Sequence, residues 1–169
     1  MADIFQNNTV THFPDISKIN FKSIEKKYLK VILLNIGIVF TILFVAAFMV
    51  DYKNLLELKQ HSIGLYLIVF IMLLITLFVK IVGFKKRKYA VREKDISYKK
   101  GLFFRTLTTV PFNRIQHVEI DQGPISRYFN LVTLSVFTAG DSSDDLKISG
   151  LVKEEAVQIK EFISNQIDG

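Results

Sequence analysis

Two long apolar runs constrain this chain more than any other feature. Residues 31–50, VILLNIGIVFTILFVAAFMV, contain no charge. As a helix rising about 1.5 Å per residue, such a run spans roughly 30 Å, the thickness of a bilayer's hydrocarbon core. Residues 63–82, IGLYLIVFIMLLITLFVKIV, are equally long and carry one charge, Lys80, close enough to the end to snorkel toward the head groups. Two buried core helices are the competing explanation. A chain of 169 residues has too little other protein to surround them. A cleaved leader is not expected, because a long segment precedes the first run and no small-residue cleavage pattern follows it. The expectation is a transmembrane helical hairpin over residues 31–82, with spans at 31–50 and 63–82.

Basic residues set its orientation. Lys18, Lys22, Lys26, Lys27 and Lys30 precede the first span, and Lys80, Lys85, Lys86, Arg87, Lys88 and Arg92 close or follow the second. The connecting loop, 51–62, balances Lys53 and Lys59 against Asp51 and Glu57. Both termini are therefore expected in the cytoplasm, with the loop outside and Leu55, Leu56 and Leu58 near its interface. The net charge of +6 is largely explained by these flanks. It points to anionic lipid before nucleic acid. The absence of cysteine excludes disulfides, thiolate catalysis and zinc–cysteine sites. Within the hairpin, Gly37 and Gly64 offer close backbone approach and Asn35 a hydrogen bond across helices.

Residues 1–30 form the N-terminal segment. Residues 1–11 show no period. Ile16, Ile19, Ile24 and Tyr28 make a partial apolar stripe, which predicts a partly helical approach lying near the membrane.

After Lys88 the texture changes to short strand-like stretches broken by turn residues. One ends at residues 93–95, a second at Gly101 and a third, RTLTTV, at Pro111. In RIQHVEIDQ, Gln116, Val118 and Ile120 fall on one face and His117, Glu119 and Asp121 on the other, before Gly123-Pro124 ends the run. One helical turn is expected over 126–130. A strand follows at 131–138, a polar turn at 139–145 and a short strand at 146–149. Val152, Ala156, Ile159, Ile163 and Ile167 then recur at helical spacing, with Phe162 beside them. Strands followed by one amphipathic helix predict an α+β domain over residues 83–169, either compact or a partial barrel whose open face the helix covers.

Three stretches carry a resemblance: YAVREKDISYKKGLF, VPFNRIQHVEIDQGPISRYFNLVTLSVFTAG and ISGLVKEEA. Together they resemble the bacterial pleckstrin-homology-like domains of YdbS-type membrane proteins, whose two preceding spans also match this layout. The resemblance implies a membrane-anchored α+β fold, in which a two-helix hairpin precedes a pleckstrin-homology-like β-sandwich or partial barrel capped by the C-terminal helix. It also implies association with a larger membrane protein carrying related domains, and a role in tolerance of envelope-active antimicrobials. Two positions depart from the family pattern. Asn130 stands where glycine usually precedes the leucine of the fifth strand, and asparagine tolerates a left-handed backbone better than other non-glycine residues. Val152 stands where a serine N-cap is usual, at a cost of about 1 kcal/mol that Glu155 or Ser149 could offset.

The sequence offers no converging catalytic set. His12, His61 and His117 are placed apart, and His117 reads as a solvent-facing strand residue. Residues 141–145, DSSDD, lack the alternating ligands, central glycine and terminal glutamate of a calcium loop. No phosphate loop or nucleophile elbow is present. Phe103, Phe104, Tyr128 and Phe129 read as core or interfacial residues before stacking platforms. No enzyme activity, cofactor or metal is therefore expected. Lys85, Lys86, Arg87 and Lys88 are candidate membrane-surface contacts. Arg114, Gln116, Gln122 and Arg127 are the most site-like polar residues. Their structural reading, satisfying backbone groups at the strand end and tying the helical turn to the sheet, competes with ligand binding. The leading function is a non-enzymatic interaction module within a larger envelope-associated membrane complex, with the bilayer and a related membrane protein as partners and homo-oligomers left open. The alternative is a peripheral reader of anionic lipid. An accessory subunit of a membrane enzyme or transporter ranks behind both, because two spans do not enclose a conventional transport path and lack paired ionisable residues.

Overall fold

A computed structural model describes residues 19–53, 62–138 and 146–167. In chain order the elements are β1 (Lys22–Ser23), α1 (Tyr28–Tyr52), α2 (Ser62–Phe84), β2 (Lys88–Val91), β3 (Asp95–Lys100), β4 (Thr106–Pro111), a 3-10 turn (Phe112–Arg114), β5 (Ile115–Asp121), α3 (Pro124–Tyr128), β6 (Leu131–Thr138), β7 (Leu146–Val152) and α4 (Lys153–Ile167). The expected 139–145 turn, the 54–61 part of the inter-span loop and residues 1–18, with His12, His61 and Ile16, lie outside the described residues.

Both apolar runs are single helices, long and apolar enough to cross a membrane. Their seam is narrow. Ile32, Ile36 and Phe40, four residues apart on α1, pack against Val69, Leu73 and Leu77 at the same spacing on α2. Other large side chains, among them Ile38, Ile42, Ile68 and Ile75, point outward and are more than half exposed. Two expectations for the hairpin fail. A Cβ added at Gly37 or Gly64 would meet nothing within 4 Å, so neither glycine mediates a close approach between these helices. Asn35 donates its amide N–H to the Val31 carbonyl of its own helix at 3.0 Å instead of bridging to α2. A helix that is apolar all round gives no sequence signal of which face meets its neighbour.

The strands form two antiparallel sheets, β1-β2-β3-β4 and β5-β6-β7. Between them lie Ile96, Tyr98, Val110, Val118, Leu134, Val136, Ile148 and Leu151, closed by Ala156, Ile159 and Ile163 from α4. Phe162, expected beside that face, is two-fifths exposed and meets Phe112 edge-on at 5.9 Å. The two buried serines are satisfied: Ser97 shares a 2.9 Å hydroxyl hydrogen bond with its cross-strand partner Thr109, and Ser135 donates to Asp121 at 3.1 Å.

The first strand changes the domain organisation. In the segment expected to be partly helical, Lys22 and Ser23 are a strand and pair antiparallel with Tyr89 and Lys88 of β2. Neighbouring strands of one sheet are thus separated in sequence by the whole hairpin, and the sheet reaches beyond residues 83–169. Ile24, the next residue, is buried in the sandwich core. Tyr28 and Phe84, at the inner ends of the two helices, pack against both the sandwich core and the hairpin seam.

Gly150 makes the junction possible. The β6–β7 ladder passes from Val132↔Leu151 to Thr133↔Ser149, which leaves Gly150 unpaired in a bulge at φ 90. A side chain there would collide with the Tyr28 ring and come within 2.7 Å of Ile24. Its carbonyl accepts the Glu25 N–H at 3.3 Å. A second bulge lies between Ile115 and His117. It corrects the face assignment in β5: Gln116 is exposed, while Ile115 and Val118 are buried.

Asn130 and the start of α4, the two departures from the family pattern, meet in space. Asn130 adopts φ 54. In that conformation its carbonyl accepts the Lys153 N–H at 3.2 Å, and its amide donates to Glu154 at 2.9 Å. One first-turn N–H of α4 is therefore satisfied by a distant backbone carbonyl, without a side-chain cap.

Candidate functional site

The Lys88↔Lys99 register brings a second group of cations beside the first. Lys86, Lys88, Lys99, Lys100, Gly101 and Arg105 line a concavity of about 250 Å3. Five positive side chains around one hollow give a field that attracts anions, and repel one another while it is empty. The basic run after α2 is thereby divided. Lys86 and Lys88 face the hollow. Lys85 is exposed elsewhere. Arg87 is half-buried in the junction, where its carbonyl accepts the Ile24 N–H at 3.5 Å. Burial raises the Tyr98 hydroxyl pKa above the ordinary tyrosine range, and the Arg87 guanidinium opposes that shift.

A second hollow, about 360 Å3, lies between the β2 edge and α4, lined by Tyr89, Ala90, Val91, Gln158, Ile159 and Phe162 among others. Glu155 organises one wall. Its carboxylate accepts a hydrogen bond from the Tyr89 hydroxyl and pairs with Lys22 at 2.7 Å. Burial, reinforced by the Glu155 carboxylate, pushes the Tyr89 pKa far up. The arrangement ties β1, β2 and α4 together. The Tyr89 hydroxyl is held protonated against the Glu155 carboxylate, which suits the pair to a structural tie.

The four site-like polar residues do not converge. Gln122 donates to the Leu131 carbonyl at 3.2 Å, joining the end of β5 to the start of β6. Arg127 is exposed, and its backbone holds the turn: its N–H donates to the Gly123 carbonyl and its carbonyl accepts the Asn130 N–H. Arg114 ends the 3-10 turn, exposed, and Gln116 sits in the β5 bulge. His117 stacks on Phe137 at 4.3 Å and lies 3.5 Å from Glu119. Among the described residues no group of His, Asp and Glu is placed to hold a metal ion. Lys99, Lys100 and Arg105 were not singled out from sequence. Their only signal was proximity to Gly101, and strand register was needed to bring them to Lys86 and Lys88.

A four-stranded sheet facing a three-stranded one, closed by a C-terminal helix and carried on a two-helix hairpin, defines a membrane-anchored pleckstrin-homology-like protein. The Bacterial PH domain family model matches residues 29–167, covering both spans and most of the sandwich. The chain belongs to that family. It is 36% identical over 77 residues to the transmembrane protein YdbS of Bacillus subtilis (strain 168), an alignment covering 46% of each chain. It thus spans about half the length of the curated relative it matches. Among solved structures, a protein with a pleckstrin-homology domain from Shewanella loihica PV-4 is similar over 48% of this chain and 70% of its own, with 19% identity and a TM-score of 0.37.

Proposed function

We propose that this chain is a non-enzymatic interaction module of the bacterial plasma (inner) membrane, both termini cytoplasmic, working as a subunit of a larger membrane complex whose other member carries related domains. The observation that carries this reading is Asn35. It lies on the outward face of α1 beside Leu34, Ile38 and Ile42. One amide hydrogen is used within the helix, while the side-chain oxygen has no partner among the described residues. A polar amide facing lipid is costly, and a neighbouring span with a donor would relieve it. The basic residues on the sandwich side of both helices support the orientation. Tolerance of envelope-active antimicrobials is the setting implied by the resemblance.

Purification from the native membrane in mild detergent tests this. A second membrane protein with a pleckstrin-homology-like domain should co-purify, and Asn35→Leu should weaken its retention by about fivefold, the effect of one interhelical hydrogen bond on the order of 1 kcal/mol. A chain that purifies alone, or a partner indifferent to Asn35→Leu, defeats the reading. A second reading, a reader of anionic lipid, is supported by the basic hollow at the foot of α2.

A further inference from the structure

The β3–β4 loop, residues 101–105, reads GLFFR and presents two bare aromatic rings: Phe103 is 77% and Phe104 90% exposed. Its place in the fold follows from strand direction. Three residues separate the end of α2 from β2, which runs away from it; β3 runs back, and Lys99 lies opposite Lys88. The loop after β3 is therefore at the end of the sandwich from which the helices emerge, and the turn between Arg92 and Asp95 is at the other end. The shared hollow confirms the placement, since Lys86 lines it together with Gly101 and Arg105. The loop is tightly closed. Gly101 sits at φ 109, and a Cβ there would strike the Phe104 carbonyl. The short helix α3 packs against α1 and carries Tyr128, 86% exposed.

We propose that this loop is a third membrane contact: Phe103 and Phe104 enter the bilayer interface, and Lys86, Lys88, Lys99, Lys100 and Arg105 hold the phosphate of an anionic phospholipid in the same leaflet. The proposal rests on the lipid reading above and gives it residues. Exposed rings bounded by cations match an anionic interface on both counts: the rings leave water, and the cations meet lipid phosphate. The occupant is a lipid surface because the spans already place the hollow against one. The bound phosphate would also relieve the mutual repulsion of the five cations.

The chain has no tryptophan, so an introduced one reports on its own position alone. The test uses the full chain in nanodiscs whose lipids carry brominated acyl chains, with phosphatidylglycerol mixed into phosphatidylcholine. The Phe104→Trp probe should lose most of its emission to the brominated chains, and a Lys94→Trp probe in the opposite turn should keep its emission. Both positions are exposed, so neither probe disturbs the core. Combined Lys99→Gln, Lys100→Gln and Arg105→Gln should lower the enrichment of phosphatidylglycerol around the protein by roughly fivefold or more. A Phe104→Trp probe untouched by bromolipid and open to aqueous iodide overturns the proposal. If insertion fails while phosphatidylglycerol preference persists, the loop is wrong and the lipid reading stands. Insertion with no preference between the lipids overturns the phosphate cradle and the lipid reading together.

Discussion

Ile32, Ile36 and Phe40 meet α2 along one seam, whereas Ile96, Leu134, Ile148 and Ile163 of the sandwich are surrounded on every side. Burial means different things in the two places. Each sandwich side chain gains roughly 1.5–3 kcal/mol by leaving water. The seam residues only exchange lipid for protein, which is as apolar as the tails it displaces, so their gain is packing. Yet the hairpin does not depend on its seam alone. β1 and β2 pair where the two helices enter the domain, and Tyr28 and Phe84 belong to both clusters. The sandwich therefore acts as a clamp on the inner ends of the spans.

The largest expected effect breaks that comparison from the domain side. Ile159→Asp places a charge on the covered face of α4 and should cost about 3–5 kcal/mol. Ile36→Ala in the seam should cost distinctly less. Unfolding of both variants in mild detergent, followed by circular dichroism, gives the ranking. Equal losses would mean that the hairpin carries its own stability and needs no clamp.

Next in size is the contribution of β1. A fragment starting at Phe84 leaves vacant the core position of Ile24, 3% exposed in the intact fold. It should unfold cooperatively, but about 2–4 kcal/mol less stable than a fragment in which residues 19–27 are joined by a short linker to Lys85. Gly150→Ala in the joined fragment should remove much of the gain, because the new methyl displaces Ile24 and must sit at φ 90. Identical stability with and without residues 19–27 would show that the pairing of Lys22 and Ser23 is incidental.

Asn130 comes third. Asn130→Ala must hold alanine in a left-handed conformation, at about 1–2 kcal/mol, and also loses the amide bond to the exposed Glu154. Asn130→Gly keeps the backbone and forfeits only the amide, so it should cost less. Thermal melts of the joined fragment would separate the two. If both variants melted alike, φ at this position would not be what the asparagine supplies.

These residues also show where sequence reasoning reached and where it stopped. The spans were legible because an apolar run of bilayer length, with no charge or with one near its end, has few other homes. The strands were legible where Gly101, Pro111 and Gly123-Pro124 punctuated them, and α4 because Ala156, Ile159 and Ile163 repeat at its period. β1 was not legible: two residues cannot display an alternation, and their partner strand lies beyond both spans. The β5 bulge broke the period that assigned Gln116 to the inner face. Asn35 and Gly37 could not be oriented on helices apolar all round. The basic hollow was half legible, as Lys86 and Lys88, since its other half is delivered by strand register and a hairpin return.

The smallest expected effect is electrostatic and again separates the two regions. The Glu154 carboxyl is held below the usual carboxylate range, first by the Asn130 amide and then by its own backbone N–H. Its contribution is complete above the ordinary carboxylate pKa and is lost as pH falls through the lowered value. Because Glu154 is exposed, the acid loss is slight, and Asn130→Gly should flatten it. Tyr89 gives the opposite arm. Burial, then Glu155, keeps its hydroxyl protonated in the fold. The unfolded chain ionises its tyrosines near pH 10, so Tyr89 contributes fully below that and its contribution falls as pH climbs. Tyr98, raised by burial, adds to the same arm. Melting of the joined fragment across pH should therefore sag at both ends, with Tyr89→Phe softening the alkaline fall. Absorbance of tyrosinate should show the Tyr89 ionisation appearing only on unfolding. Apart from Tyr28 at its domain end, the hairpin seam is built from Ile, Phe, Val and Leu. Helicity of the spans in the full chain should hold across the range in which the sandwich weakens. If helix signal and sandwich melt were lost at one pH, the clamp would be the whole of the hairpin's stability and the seam's packing would count for nothing.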